Sequence, residues 1–392
     1  MAKRRSNGGG SVTKKKDKNG NILYYARISL PTGKRIGKYF TSDKEAQKWL
    51  TSQLSDIQKG TFVEPTKTTL KEWMLKWLND YMKISCRQTT WESYQIMIEK
   101  HILPDLGPIK LAQLQTSNLQ KLYNDKLTSG RADGKPGGLA PKTVRYIHTI
   151  IYACLEQAVK EKILMINPAA AAKLPKNPKK EMKILDSKGV QDFIKAAKEY
   201  RLYAAFYLEI FSGLRRGEVL GLRWKDVDFK AKTIEVVQQL VRTPKGDYIF
   251  QEPKTKLSKR KVIVPDEVLV QLKEHKKKQA QERKDLGQSE IIKPEDLVFV
   301  NELGKLIQPR NFLRTYRGIL KKAGLDTSLR FHDLRHTFAT LSLQHGVDIK
   351  TLQGDLGHHS AAFTLDQYSH VTMEMKQAAA NKRSEFLKSI EN

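Results

Sequence analysis

His332-Asp333-Leu334-Arg335-His336-Thr337, with Leu356-Gly357-His358-His359-Ser360 and Tyr368-Ser369-His370 downstream, decides how the whole chain is read. Residues three apart share a helix face, so a helix through the first motif turns His332 and Arg335 toward one point. An imidazole exchanges protons near neutral pH, and a guanidinium keeps its charge throughout the physiological range. Both suit a phosphodiester. His332 and His336 also have the spacing of a zinc-binding His-Glu-x-x-His helix. Asp333 stands where that motif has its Glu and is one methylene shorter, and Arg335 would set a cation beside the metal. The phosphate reading is therefore preferred to zinc.

Motifs on either side supply matching residue types. In Gly213-Leu214-Arg215-Arg216-Gly217-Glu218, Arg215 can clamp a phosphate with a pair of parallel hydrogen bonds. Glu218 falls on the same helical face and can orient that guanidinium. Lys254, in Pro253-Lys254-Thr255-Lys256, is predicted at the tip between two strands, where an ammonium can protonate a leaving oxygen. Lys256, Lys259, Arg260 and Lys261 compete for that role and are read instead as contacts to a nucleic-acid backbone. Tyr368, with an ordinary hydroxyl pKa of about 10, becomes a nucleophile only if cations and a base draw off its proton. Aimed at phosphorus, it forms a phosphotyrosine that keeps the bond energy for religation. Loss of one preorganised donor at a developing oxyanion costs about 3 to 4 kcal/mol. Two arginines, a lysine and two histidines gathered at one phosphate could thus replace a metal ion. Neither metal nor cofactor is expected.

Composition points the same way. A chain of 392 residues with 39% hydrophobic content can form two or three domains. Its 71 basic residues against 42 acidic ones give a net charge of +29, with a pI near 9.8. An excess of that size repels itself unless a polyanion screens it, and nucleic acid is the commonest polyanion. Cys86 and Cys154 cannot make a disulfide framework, no Cys-x-x-Cys is present, and both read as small core residues. The basic N-terminus leads into Gly and Ser, unlike a signal peptide. No apolar stretch reaches the roughly 18 residues of a membrane span. A soluble, cytoplasmic, nucleoid-associated protein with no membrane partner is expected.

The chain divides into three segments. In residues 1–62, a basic arm precedes short strands: Lys18-Asn19-Gly20-Asn21 is a hairpin turn, 22–30 a strand, Pro31-Thr32-Gly33-Lys34 a second turn and 35–40 another strand. Ser42 with Glu45 reads as a capping box opening a helix that carries Ala46, Trp49, Leu50 and Leu54. Lys14, Lys15, Lys16, Arg27, Lys34, Arg35 and Lys38 make this sheet a candidate for a DNA major groove; a solvated basic arm is the alternative. Residues 66–175 read as helices. Thr69 with Glu72 caps one, Thr89 with Glu92 another that ends before Pro104, a third holds Leu119, Leu122, Tyr123 and Leu127, and a fourth begins near Pro141. Their aromatics are at core spacing, while Lys142 and Arg145 on the polar face suit phosphates. Prolines and lysines around 173–180 mark a linker. Residues 182–392 then read as mixed α/β, mainly helical, with strands at 233–242, 248–251 and 262–264.

Taken in order, Gly-Leu-Arg-x-x-Glu, a hairpin lysine, His-x-x-Arg-His and Leu-Gly-His followed by Tyr-x-His resemble the tyrosine recombinases of the lambda-integrase type, in particular phage and conjugative-transposon integrases. The resemblance covers nearly the whole chain. It implies a multidomain fold: a small sheet-plus-helix arm-binding domain, an all-helical core-binding domain and a mainly helical α/β catalytic domain. It implies Arg215 and Arg335 as phosphate clamps, Lys254 as general acid, His332 as general base or proton relay and His358 as hydrogen-bond donor. Leu-Gly-His favours His358 over His359 for that donor. Tyr368 is then the nucleophile and Glu218 a supporting acid. The implied partners are double-stranded DNA at core and arm attachment sites, a homotetramer in the synaptic complex, and an excisionase or host DNA-bending protein. A C-terminal tail, about 374–390, would dock by Met375, Ala378, Ala379, Phe386 and Leu387, in cis or in trans. A type IB topoisomerase-like enzyme shares the chemistry, and a non-cleaving DNA-binding regulator would keep the fold alone. The complete set of catalytic residue types argues against the regulator.

Overall fold

Three antiparallel strands realise the turn chemistry of the N-terminal segment: β1 (Ser11–Lys16), β2 (Ile22–Ser29) and β3 (Arg35–Phe40), in that spatial order. The computed structural model describes residues 10–30, 33–59, 62, 67–178, 182–243, 246–253, 258–289, 291–293, 295–357, 360, 362 and 372–391. In the first turn Gly20 takes φ +82°, and the Asp17 carboxylate accepts the Asn19 and Asn21 amides at 2.9 and 2.8 Å. In the second, whose Pro31 and Thr32 lie outside the described residues, Gly33 takes φ +81° and Leu30 N–H donates to Lys34 O at 2.7 Å. Helix α1 (Asp43–Gln58) covers one face, where Ile28, Leu30 and Leu50 are buried together. Ser42 is its N-cap residue, but its side chain makes no capping bond, so the expected box with Glu45 does not close. Acidic Asp43 and Glu45 in the first turn complement the helix dipole instead.

Register sorts the basic residues of this sheet. Directly opposed residues of antiparallel strands point to the same side. The pairs Lys15↔Leu23, Tyr25↔Tyr39, Arg27↔Gly37 and Ser29↔Arg35 therefore put Lys15, Tyr25, Arg27, Tyr39 and Arg35 on the face away from buried Ala26 and Ile28. Lys14, Lys16 and Lys38, opposite Tyr24, Ile22 and Ala26, fall on the other side.

Next come α2 (Leu70–Trp77), α3 (Lys83–Ser85), α4 (Gln88–Met97), α5 (Leu103–Leu106), α6 (Thr116–Ser129) and α7 (Pro141–Lys160). Thr69 and Glu72 close their capping box. Thr89 and Glu92 do not: α4 begins two residues earlier, with Arg87 at its N-cap, and buried Glu92 accepts from Gln88 Nε2 at 2.8 Å. Nor does the chain leave the helix before Pro104. A π-helical turn, Ile98–Ile102, carries it into α5, and Pro104 lies within this continuous run near the start of α5. Leu70, Trp73, Trp77, Leu119, Tyr123, Val144, Ile147 and Leu155 share one core, with Cys154 fully buried among them. Cys86 is half-buried at the end of α3, its thiol against Met82 O, and is not a core residue.

Residues 1–178 and 179–392 are separate units. The second contains α8 (Ser187–Ala197), α9 (Tyr203–Ser212), α10 (Arg216–Gly221), β4 (Val227–Asp228), β5 (Thr233–Val236), β6 (Gln239–Arg242), β7 (Tyr248–Gln251) and β8 (Arg260–Ile263). After these come α11 (Asp266–Asp285), α12 (Pro309–Lys322), α13 (Phe331–Gln344), α14 (Ile349–Leu356) and α15 (Thr372–Glu391). The single strand expected over 233–242 is two: β5 lies between β4 and β8, whereas β6 pairs with β7. The break is pinned by Gln238 Nε2 donating to Gly221 O at 2.7 Å. Gly217 and Gly221 let β6 lie directly on α10, since an added Cβ would meet Leu240 O at 2.6 Å or Gln239 Cα at 3.1 Å. Lys254, expected at the tip between two strands, lies outside the described residues, between β7 and β8, which pair in different sheets. Phe193, Phe206, Phe312, Tyr316 and Phe331 fill the core. In α15, Phe386 and Leu387 are exposed; the side chains of Met375, Ala378 and Ala379 lie outside the described residues. No helix among the described residues is long and apolar enough to cross a membrane.

Candidate active site

Each of the "Gly-Leu-Arg" and "Leu-Gly-His" motifs begins where a helix stops. Gly213 ends α9 and Gly357 ends α14, both in the left-handed region at φ +60° and +61°, which glycine enters without a Cβ penalty. A Cβ on Gly213 would also strike Phe338 at 2.5 Å. Arg335, in the first turns of α13 and only 1% exposed, joins the two stops. Its Nη1 donates to Gly213 O at 2.6 Å and its Nη2 to Leu356 O. One guanidinium thus fixes the backbone two residues before Arg215 and two residues before His358.

Arg215 is the N-cap residue of α10 and is partly exposed. Its Nη1 donates to Glu218 Oε1 at 2.8 Å, and its backbone N–H to Glu218 Oε2 at 2.9 Å. Glu218 also binds Arg260, whose Nη2 lies 2.9 Å from Oε2 and whose Nε donates to Asp355 O at 2.5 Å. Burial by itself pushes the Glu218 carboxyl up; the charge and hydrogen bonds of Arg260, with those of Arg215, more than offset this and hold it at about 2. Glu218 is therefore an anion bridging two guanidiniums. Arg260, expected to touch DNA, is buried. It is a structural cation that ties β8 to α10 and α14.

His332 lies in the first turn of α13, with its ring 4.9 Å from that of His336, edge to face. One side of His332 is open to solvent, while the protein crowds the other. That crowding, then His336, Arg335 and Arg215, depress its pKa to about 4. The imidazole is therefore neutral at pH 7 and able to accept a proton. Arg215 and His332 both line a cleft of about 720 Å³. Lys254, Lys256, His358 and Tyr368 lie outside the described residues.

Some contacts escaped the sequence reading. Asp333, weighed there against a catalytic Glu, is buried and binds the Arg330 amide at 2.7 Å and its Nη2 at 2.7 Å. Its spacing from Arg330 matches that of Glu218 from Arg215, so this pair was legible. Glu209, on α9, is fully buried with neither carboxyl oxygen hydrogen-bonded. Burial raises its pKa well above the usual value, opposed by Arg335. Among the outlying candidates, Lys142 is exposed on α7, and Arg145 donates to Pro175 O at 3.2 Å, tying the linker to that helix.

Residues 183–375 match the phage integrase family, and residues 69–127 match the phage integrase N-terminal SAM-like domain. The tyrosine recombinase XerC-like protein of Caldanaerobacter subterraneus subsp. tengcongensis is 31% identical over 383 residues, covering 92% of this chain and 96% of the relative. The chain belongs to the phage integrase family of tyrosine recombinases. It is an enzyme that cleaves and rejoins DNA strands in site-specific recombination. Two solved structures share the recombinase's fold. The Tn1549 transposon integrase in complex with transposon right end DNA superposes with a TM-score of 0.65 at 22% identity, over 80% of this chain and 99% of that one. A lambda integrase tetramer bound to a Holliday junction gives 0.52 at 18%, over 93% and 97%. The recombinase is thus multidomain, with a SAM-like helical domain and a catalytic domain, mostly helical with small sheets.

Proposed function

We propose that the recombinase integrates and excises a mobile element through a 3′-phosphotyrosine at Tyr368. Arg215 and Arg335 clamp the scissile phosphate, with Glu218 holding Arg215 in place. Neutral His332 accepts or relays the proton of the Tyr368 hydroxyl as its oxygen bonds to phosphorus. His358 donates a hydrogen bond to a phosphate oxygen, and Lys254 protonates the departing 5′ oxygen. Attack by the 5′ hydroxyl of a partner strand reverses these steps and frees the tyrosine. The observation that carries this reading is the Arg335 guanidinium bridging Gly213 and Leu356, because it gathers the arginine motifs and the segment leading to His358 at one place.

Residues 1–62 are proposed as an arm-site binder, 66–175 as the core-site binder and 182–392 as the catalytic domain with its tail. On the sheet, the register favours Lys15, Arg27 and Arg35 for the DNA-facing side over Lys14, Lys16 and Lys38; Lys34 lies in the turn beside it. The Tn1549 and lambda integrase complexes support double-stranded DNA as partner and a homotetramer as the working assembly. An excisionase or host bending protein, a tail docked in cis or in trans and a cytoplasmic, nucleoid-associated location complete the proposal. Tyr368→Phe tests it: the variant should bind attachment-site DNA normally yet form no covalent adduct. An adduct that persists rules out the nucleophile assignment.

A further inference from the structure

The cleft beside Arg215 and His332 has a lining that the chemistry at a single phosphate does not use up. Arg216, Arg242, Arg317 and Arg330 also face it, so its basic groups are five arginines and a histidine. No lysine and no carboxylate lines it among the described residues, although lysine outnumbers arginine by more than two to one in the chain. That bias favours planar forks over point charges, as bidentate phosphate binding requires. The arginines come from separate elements. Arg242 ends β6, Arg317 is on α12, and Arg330 precedes α13. Arg242 and Arg317 are exposed and have no carboxylate partner among the described residues, while buried Asp333 holds Arg330 with most of its side chain open to solvent. Leu240, Leu313 and Phe331 give the same cleft apolar wall, suited to the carbon faces of a sugar.

We propose that this cleft is a second phosphodiester site, in which Arg242, Arg317 and Arg330 hold a backbone phosphate neighbouring the scissile one. The site positions the strand so that the scissile phosphate falls between Arg215 and His332. It rests on the reading of Arg215 as a clamp, but its residues act in binding and not in bond cleavage.

The test combines substitutions with a walk of single methylphosphonates, which remove one phosphate charge each, along a duplex core site bound by the full chain. Arg242→Ala with Arg317→Ala should weaken binding about tenfold or more, and each lost contact should lower the salt slope by about one. One methylphosphonate beside the cleavage point should weaken the unsubstituted protein by a similar factor and leave the double variant unaffected, because the two changes remove one interaction. Losses that simply add at every position, or an unchanged salt slope, overturn the proposal. Thermal melting of the variant matching that of the parent chain excludes misfolding as the cause of weak binding; Arg317→Lys, retaining the charge, should then recover part of it. Arg215→Ala separates the two readings: should it still form adduct at the parent rate, the clamp assignment fails while the second site stands.

Discussion

A guanidinium buried between two backbone carbonyls has a shape that lysine cannot copy. Arg335 donates from different nitrogens to Gly213 O and Leu356 O, whereas one ammonium cannot reach both and still face a phosphate. Arg335→Lys should slow single-turnover cleavage by about a hundredfold or more and lower unfolding free energy by about 1.5 to 3 kcal/mol; cleavage at the parent rate would show that the bridge is dispensable. His275 offers a pH test. It is buried, contacts Val298 O at 2.9 Å, and burial depresses its pKa to about 4 despite that contact. The unfolded chain takes up this proton first, so the stabilisation is complete above about pH 6.5 and is lost as pH falls toward 4. Between pH 7 and 5 the protein should lose about 2 kcal/mol through His275 alone, seen as a shallower pH dependence of urea unfolding in His275→Asn. An equal slope in the variant would contradict it. The pairing of Arg215 with Glu218 was legible because that spacing is local. The burial of Arg260 was not, since it depends on Glu218 and Asp355, which lie far from it in sequence.

Helices were easier to read than strands for a related reason. The periodicity and caps of α2, α6 and α7 lie within their own sequences, and the Thr69–Glu72 box forms as expected. At α4 two starts compete, and the earlier one at Gln88 wins by using Glu92 as a side-chain partner within the helix. The break between β5 and β6 depends on glycines of α10 and on Gln238 reaching Gly221, contacts that no window over 233–242 contains. At this scale Glu218 is the joint between α10 and β8. Glu218→Ala leaves Arg260 buried without its anion, which should cost about 3 to 5 kcal/mol in chemical denaturation and loosen Arg215 as well. A change below about 0.5 kcal/mol would mean that the bridge does not hold these elements together.

For the molecule as a whole, the excess of positive charge makes DNA affinity depend steeply on salt. If residues 1–62 bind separate arm sites, their deletion should remove arm-site footprints while leaving core-site cleavage within a few-fold of the full chain. Arm footprints that survive would assign that binding elsewhere. The central proposal, however, is covalent: Tyr368 displaces a deoxyribose oxygen at a phosphate held by arginines, with no divalent ion. The most direct measurement traps the protein on a nicked suicide substrate in excess chelator and maps the DNA-linked peptide by mass spectrometry. The account expects full adduct yield with the strand on Tyr368; an adduct on any other side chain, or one that disappears with chelator, would contradict it.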